Sequence, residues 1–251
     1  MGAEAADLSS CATGAPLSGA TYDISKSRFA FGSTPVEQDG SGFVRWVGTD
    51  GVVGIWADGN VLGTMNAGAP ETNLPDWSPD TAALTNHVIE YFGTMGLAGC
   101  QIASSSVFQM VGGSESADGG VGALTQEGGN TIVLARSISG IAVVESLASA
   151  RFDSANQTTS ESLYWPTVPA DVVASARGFS SALADPAQLA AFKAKLPSDA
   201  QGDGQVVIHH TSAYTAGAFQ AATTYDVGAT GNDFASKLSF DPSGNPVPNE
   251  W

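Results

Sequence analysis

The chain has 251 residues, enough for one or two domains and a sizeable core. Leu, Ile, Val and Phe together make up about a fifth of it, and 25 acidic against 9 basic residues give a net charge of −16. A field of that sign repels phosphate backbones and anionic lipid, so nucleic acid and a membrane surface are excluded as expected partners; no apolar run approaches the roughly 18 residues of a membrane span.

Residues 1–20 are rich in Ala, Gly and Ser and lack periodicity, which predicts an extended arm. Leu8-Ser9-Ser10-Cys11 resembles the end of a lipoprotein signal, but Gly2 to Asp7 carries neither the cation nor the apolar stretch of one. A mature exported chain, extracellular or in the cell envelope, is the expectation. The two cysteines are Cys11 and Cys100. A disulfide between them would close a loop of about 90 residues and stabilise by about 4 kcal/mol in the chain-entropy model; two buried thiols are the alternative.

From 21 to 75 the signals are strand and turn. Phe43 to Val47 and Val52 to Ala57 flank Gly48-Thr49-Asp50-Gly51, and Asp58-Gly59-Asn60 leads into Val61-Leu62, a small antiparallel meander. It either forms a domain of its own or adds strands to one sheet with residues 76–251. The next unit opens with a helix. Ser78 is the expected N-cap and Pro79 the first helical residue, with Leu84, Val88, Tyr91, Phe92 and Met95 at helical spacing before Gly96. Strands are predicted at Gln101 to Val111 and Thr131 to Ile138, with residues 112–129 as a mobile loop between them.

Ser139-Gly140 predicts a two-residue hairpin turn. Its register pairs Ile138 with Ile141, Leu134 with Glu145 and Ile132 with Leu147 and puts Ile132, Leu134, Ile138, Ile141, Val143 and Leu147 on one face; Arg136 and Glu145 fall diagonally on that face, which predicts an ion pair at its edge. A third strand, Ser160 to Trp165, follows a turn that contains the glycosylation sequon Asn156-Gln157-Thr158. Helical patterns then carry Val172, Val173, Ala176 and Phe179, and, after an Asp185-Pro186 cap, Leu189, Phe192 and Leu196. Strands return at Gln205 to Ser212, Phe219 to Val227 and Leu238 to Phe240, the last followed by the turn Asp241-Pro242-Ser243-Gly244-Asn245. The predicted class is α+β, antiparallel sheets with a few segregated helices.

One helix followed by antiparallel strands is the cystatin-like order. Within it, Asn130 to Trp165, with its Ser139-Gly140 turn, Ile141-Ala142-Val143 and a second strand ending in Phe152-Asp153, resembles the PepSY and propeptide-type modules of exported bacterial proteins. There, a strand leads into a Gly-Ile/Val-x-Val turn and a strand ending in an acidic turn. The resemblance covers residues 78–165 and implies a module that binds or restrains another protein.

Motifs for catalysis are missing from the chain. It contains no Gly-x-Ser-x-Gly, P-loop, Cys-x-x-Cys or His-Glu-x-x-His string. The histidines are His87, His209 and His210; the last two, adjacent in a strand, point to opposite faces and cannot share an ion. Asp199 to Gly204 matches three positions of a calcium loop, but Gln201 and His210 break the pattern; a looser site on Asp199 and Asp203 stands against a solvated turn. No cofactor is expected. Glu145 and Glu161, the best candidates for a glycosidase pair, are predicted on opposite faces, which disfavours a dyad. The aromatic candidates are Trp46, Trp56, Tyr164 and Trp165. Exposed, they would form a stacking platform for a glycan or an anchor for a protein; buried, they would be core.

The leading expectation is therefore an exported, non-catalytic binding, inhibitory or assembly module of undetermined oligomeric state. The alternatives are a secreted hydrolase and a subunit of an extracellular structural assembly.

Overall fold

The computed structural model describes residues 19–29, 31, 35, 37–38, 43–47, 52–55, 80–109, 112–115, 121–125, 129–153, 156–210, 219–227 and 236–247. The class is α+β. In chain order the elements are β1 (Glu37–Gln38), β2 (Val44–Val47), β3 (Val52–Ile55), α1 (Thr81–Gly93), β4 (Ile102–Gln109), β5 (Gly112–Glu115), β6 (Val121–Thr125), β7 (Gly129–Ile138), β8 (Ile141–Asp153), β9 (Thr158–Tyr164), α2 (Ala170–Leu183), α3 (Pro186–Lys193), β10 (Ala200–His210), β11 (Phe219–Val227), β12 (Ser236–Phe240) and β13 (Pro246–Val247). Strands β1 to β3 form a three-stranded antiparallel sheet; β2 and β3 are the first two strands of the predicted meander, β1 is a strand the sequence does not predict, and Val61-Leu62 lies outside the described residues. An eight-stranded sheet runs β13-β12-β11-β10-β8-β7-β4, with β9 also paired to β8.

Two compact units divide the chain: Gly19–Ala135 with Ser146–Pro166, and Arg136–Glu145 with Thr167–Trp251. In the first, Asp80 Oδ1 caps α1 by accepting from Ala83 N at 3.0 Å, so Asp80 takes the role expected of Ser78. Leu84, Val88 and Phe92 recur every four residues and are all buried, making one face of the helix core. Gly96 at φ 97° and the bond from Leu97 N to Phe92 O close the helix end and return Leu97 to the core. That core includes Ile132 and Leu134 of β7, Phe152 of β8 and Leu163 of β9.

In the second unit Asp185 caps α3 through Ala187 N and Gln188 N, with Pro186 at the first helical position, as the sequence predicts. Val173, Ala176 and Phe179 of α2 and Phe192 of α3 are buried on the sheet face that carries Ile141, Val143, Ile208 and Tyr225. Phe179 and Phe192 meet edge to face with centroids 5.2 Å apart. The Asp241 turn also forms as predicted, its carboxylate accepting from Ser243 N and Asn245 N.

Ser139 (φ 55°) and Gly140 (φ 80°) make the predicted two-residue turn of the β7–β8 hairpin. Beyond it the expected parity fails. Glu145 has φ 66°, a left-handed bulge, and burial switches from Ile141 and Val143 before it to Ser146, Ala148, Ala150 and Phe152 after it. Leu147, expected in the core, is 36% exposed as a result. Residues 112–129 also depart from expectation, because β5 and β6 pair as an antiparallel hairpin there. A glycine-rich strand shows no side-chain alternation, yet its backbone groups still need partners.

β10 begins at Ala200, earlier than predicted, with a register shift between Gln201 and Gln205 and Gly202 at φ 88°. The ring of Tyr225 lies directly over Gly204, where a Cβ would overlap it. That ring is buried and flanked by Phe192 and Phe240, so it has little freedom to retreat. Gly204→Ala is expected to cost about 1 to 3 kcal/mol in urea unfolding, as overpacking does. The cost should shrink in a Tyr225→Leu background; an unchanged cost there would show that the ring is not its cause.

Candidate functional site

Tyr164 and Trp165 do not form an exposed aromatic platform. Trp165 is fully buried and Tyr164 is 2% exposed. Trp165 Nε1 donates to Gln101 Oε1 at 3.2 Å, and its carbonyl accepts from Ala20 N at 2.8 Å, which fixes both the indole and the backbone. Where large side chains are scarce, a tryptophan contributes more as core than as surface. Trp46 on β2 is half-buried against the core of the first unit. Trp56 and Cys11 lie outside the described residues, and so does the Cys11 to Cys100 pairing; Cys100 itself is half-buried in the short 3-10 turn before β4.

A polar cluster that sequence reasoning missed surrounds Glu161. β9 points this carboxylate inward, 2% exposed. Tyr22 Oη donates to Oε2 at 2.9 Å and Tyr91 Oη to the same oxygen at 2.6 Å. Arg28 places Nε 3.8 Å from Oε1 and its guanidinium 3.7 Å from the centre of the Tyr91 ring. Burial pushes the Glu161 carboxyl above its ordinary value, with the two tyrosine hydroxyls and Arg28 pulling the other way. Both tyrosines are pushed up by burial and by the adjacent carboxylate, and burial lowers Arg28. Arg28 Nη2 and Glu161 Oε1 have no hydrogen-bond partner among the described residues. The tyrosine and arginine partners come from segments far upstream in the chain, which explains why the sequence did not reveal them; the legible signal was a carboxylate sharing the parity of Leu163 and Trp165.

The second cluster belongs to the other unit. Glu145 is held at the bulge of β8, and β10 brings His209 and His210 to it. Glu145 Oε1 lies 3.4 Å from His209 Nε2, and Oε2 accepts from His210 N at 3.3 Å. His209 Nδ1 is 2.9 Å from the carbonyl oxygen of His210. Glu145 thus faces His209 rather than Arg136, and the expected Arg136 ion pair is replaced. Burial pushes the Glu145 carboxyl up to about 7, opposed by the His210 N–H, while burial lowers His209. Burial thus disfavours the charged form of both groups, which weighs against an ion pair at this contact. The two histidines do point to opposite faces: His210 stacks edge-on against Phe219 at 4.6 Å.

Other surfaces offer less chemistry. An open groove of about 480 Å³ between α2 and α3 is lined by Phe179, Leu183, Phe192, Gln188 and Lys195 and carries no carboxylate among its described lining. Residues 200–204 are strand instead of a liganding turn, Asp199 is exposed before them, and no group of three or more metal-ligating side chains occurs among the described residues. No described helix is long and apolar enough to cross a membrane. At one edge of the eight-stranded sheet, β4 exposes every residue from Ala103 to Phe108, with Val107 at 42% and Phe108 at 57%. Comparison of the chain with protein-family models, with curated proteins and with solved structures gives no match.

Proposed function

We propose that this chain is an exported, non-catalytic module that assembles through strand addition along β4, a second copy being the partner. The observation that carries the reading is the edge itself. Ile102 to Gln109 has no charge and no proline, and its exposed stretch ends in two large apolar side chains. Edge strands in soluble proteins ordinarily carry lysine, proline or an inward charge that blocks pairing; this one carries none. With a net charge of −16 spread over the rest of the chain, a charge-free edge is where two copies repel least. The resemblance of residues 78–165 to PepSY-type modules points the same way, since such modules act by binding protein. The scarcity of basic residues and the absence of catalytic motifs support the exported, non-catalytic part.

Light scattering on a sizing column across a wide concentration range tests this. The native chain is expected to associate reversibly, and Phe108→Lys to remain monomeric, with the fold kept because Phe108 is mostly exposed. A native chain that stays strictly monomeric throughout overturns the proposal, as does association that Phe108→Lys leaves unchanged.

A further inference from the structure

The joint between β8 and β10 is short. Backbone pairing in this parallel pair covers Val207↔Ala142 and Ile208↔Val143. Past that point the side chain of Glu145 takes over, accepting the His210 N–H in place of a backbone carbonyl. The left-handed φ of Glu145, 66°, is uncommon for a residue with a side chain and is strained. Here it marks the residue whose carboxyl reaches β10.

The proton count at this joint is constrained by geometry. The imidazole of His209 lies between two groups that accept, the His210 carbonyl at Nδ1 and the Glu145 carboxyl at Nε2. A neutral imidazole has one N–H, and a carbonyl can only accept, so the tautomer that satisfies the first contact carries its proton on Nδ1. Nε2 then presents a lone pair to Glu145 Oε1, and the contact is favourable only with one more proton between them. Remove it, and two lone pairs face each other at 3.4 Å in a site where Glu145 is 10% and His209 3% exposed. Moving the imidazole proton to Nε2 only transfers the conflict to the His210 carbonyl.

We propose that Glu145, His209 and the His210 carbonyl form a one-proton latch, which fastens β8 to the end of β10 while the shared proton is present and releases it when the proton leaves. Among the described residues, β11 sets the uncharged Gln220 opposite His209, His210 faces Phe219 on the other side of the sheet, and β7 carries the buried Arg136, which burial lowers. The Glu145 carboxyl, raised to about 7, places release near neutrality. The sign follows from linkage. Glu145 is raised in the fold, so its contribution is complete below its unfolded value and is lost as pH rises through about 7. His209 is lowered, so its contribution is complete above its unfolded value and is lost as pH falls through the folded one. The latch is therefore closed in weak acid.

Amide hydrogen exchange at His210, corrected for intrinsic base catalysis, reads the latch directly. Protection in the native chain is expected to fall roughly tenfold or more from weakly acidic to alkaline pH, one pKa unit of coupling being tenfold. In Glu145→Gln the amide N–H₂ donates to Nε2 and the amide oxygen accepts from His210 N, so protection should hold across the range. Equal pH slopes in the two proteins overturn the proposal. Imidazole nitrogen shifts of the native chain give a readout that needs no variant: His209 should be neutral and protonated on Nδ1 in weak acid. An Nε2–H tautomer there, or an imidazolium persisting above neutrality, overturns it as well.

Discussion

Arg28→Ala is expected to destabilise the protein by about 3 to 5 kcal/mol near neutral pH, as breaking a buried charge pair does. The guanidinium is the cation within 4 Å of the Glu161 carboxylate among the described residues, its side chain is 18% exposed, and it covers the Tyr91 ring. Without it, two tyrosine hydroxyls hold a buried negative charge on one oxygen while the other stays unpaired. Glu161 can escape by taking up a proton. Its carboxyl is already raised by burial, and losing the arginine raises it further, so the penalty should grow as pH rises and shrink in acid. Urea unfolding at both ends of that range measures this. Arg28→Ala/Glu161→Gln should recover much of the loss, because the amide can still accept from the tyrosines without a charge. A penalty that does not vary with pH, and that the double variant does not relieve, would show that Arg28 acts by packing alone.

Trp165→Ala should cost a similar amount, about 3 to 5 kcal/mol, the usual range for removing a large aromatic from a core. Its ring is fully buried beside Phe152 and Leu163 in the same cluster, and its Nε1–H is bonded to the buried Gln101. Trp165→Phe separates the two contributions. It keeps most of the apolar contact and loses the donor, so a cost of about 1 to 2 kcal/mol is expected from that variant. Equilibrium urea unfolding compares them. If Trp165→Ala cost less than about 1 kcal/mol, the residue would be a surface platform after all, and the glycan or protein anchor would return as a reading.

The stretches that the sequence described well are those governed by neighbours along the chain. The stripe Leu84, Val88, Phe92 follows from helical spacing, the Asp185-Pro186 cap from donors left open at a helix start, and the Ser139-Gly140 hairpin from the positive φ its turn needs. Phe219 to Val227 forms a strand with the predicted ends. The α1 cap falls on Asp80 rather than Ser78 because the two offer the same capping chemistry. The β5–β6 pair has no signature in the sequence because glycine and serine leave no alternation to read.

The candidate sites were much less legible. A regular register carried through residue 145 puts Glu145 on the face of Arg136, whereas its left-handed φ reverses every side chain beyond it. Nothing in a glutamate between Val144 and Ser146 marks it for that conformation. His209 and Glu161 find their partners across 64 and 70 or more residues, where spacing carries no information. The sequence by itself therefore determined the charge, the class and the local elements, since each depends on composition or on contacts within a few residues. Only the tertiary structure decided that Tyr164 and Trp165 are core, that Glu161 is enclosed by Tyr22, Tyr91 and Arg28, and that Glu145 reaches His209. Those outcomes depend on which strands meet, and that is set by the packing of the whole sheet.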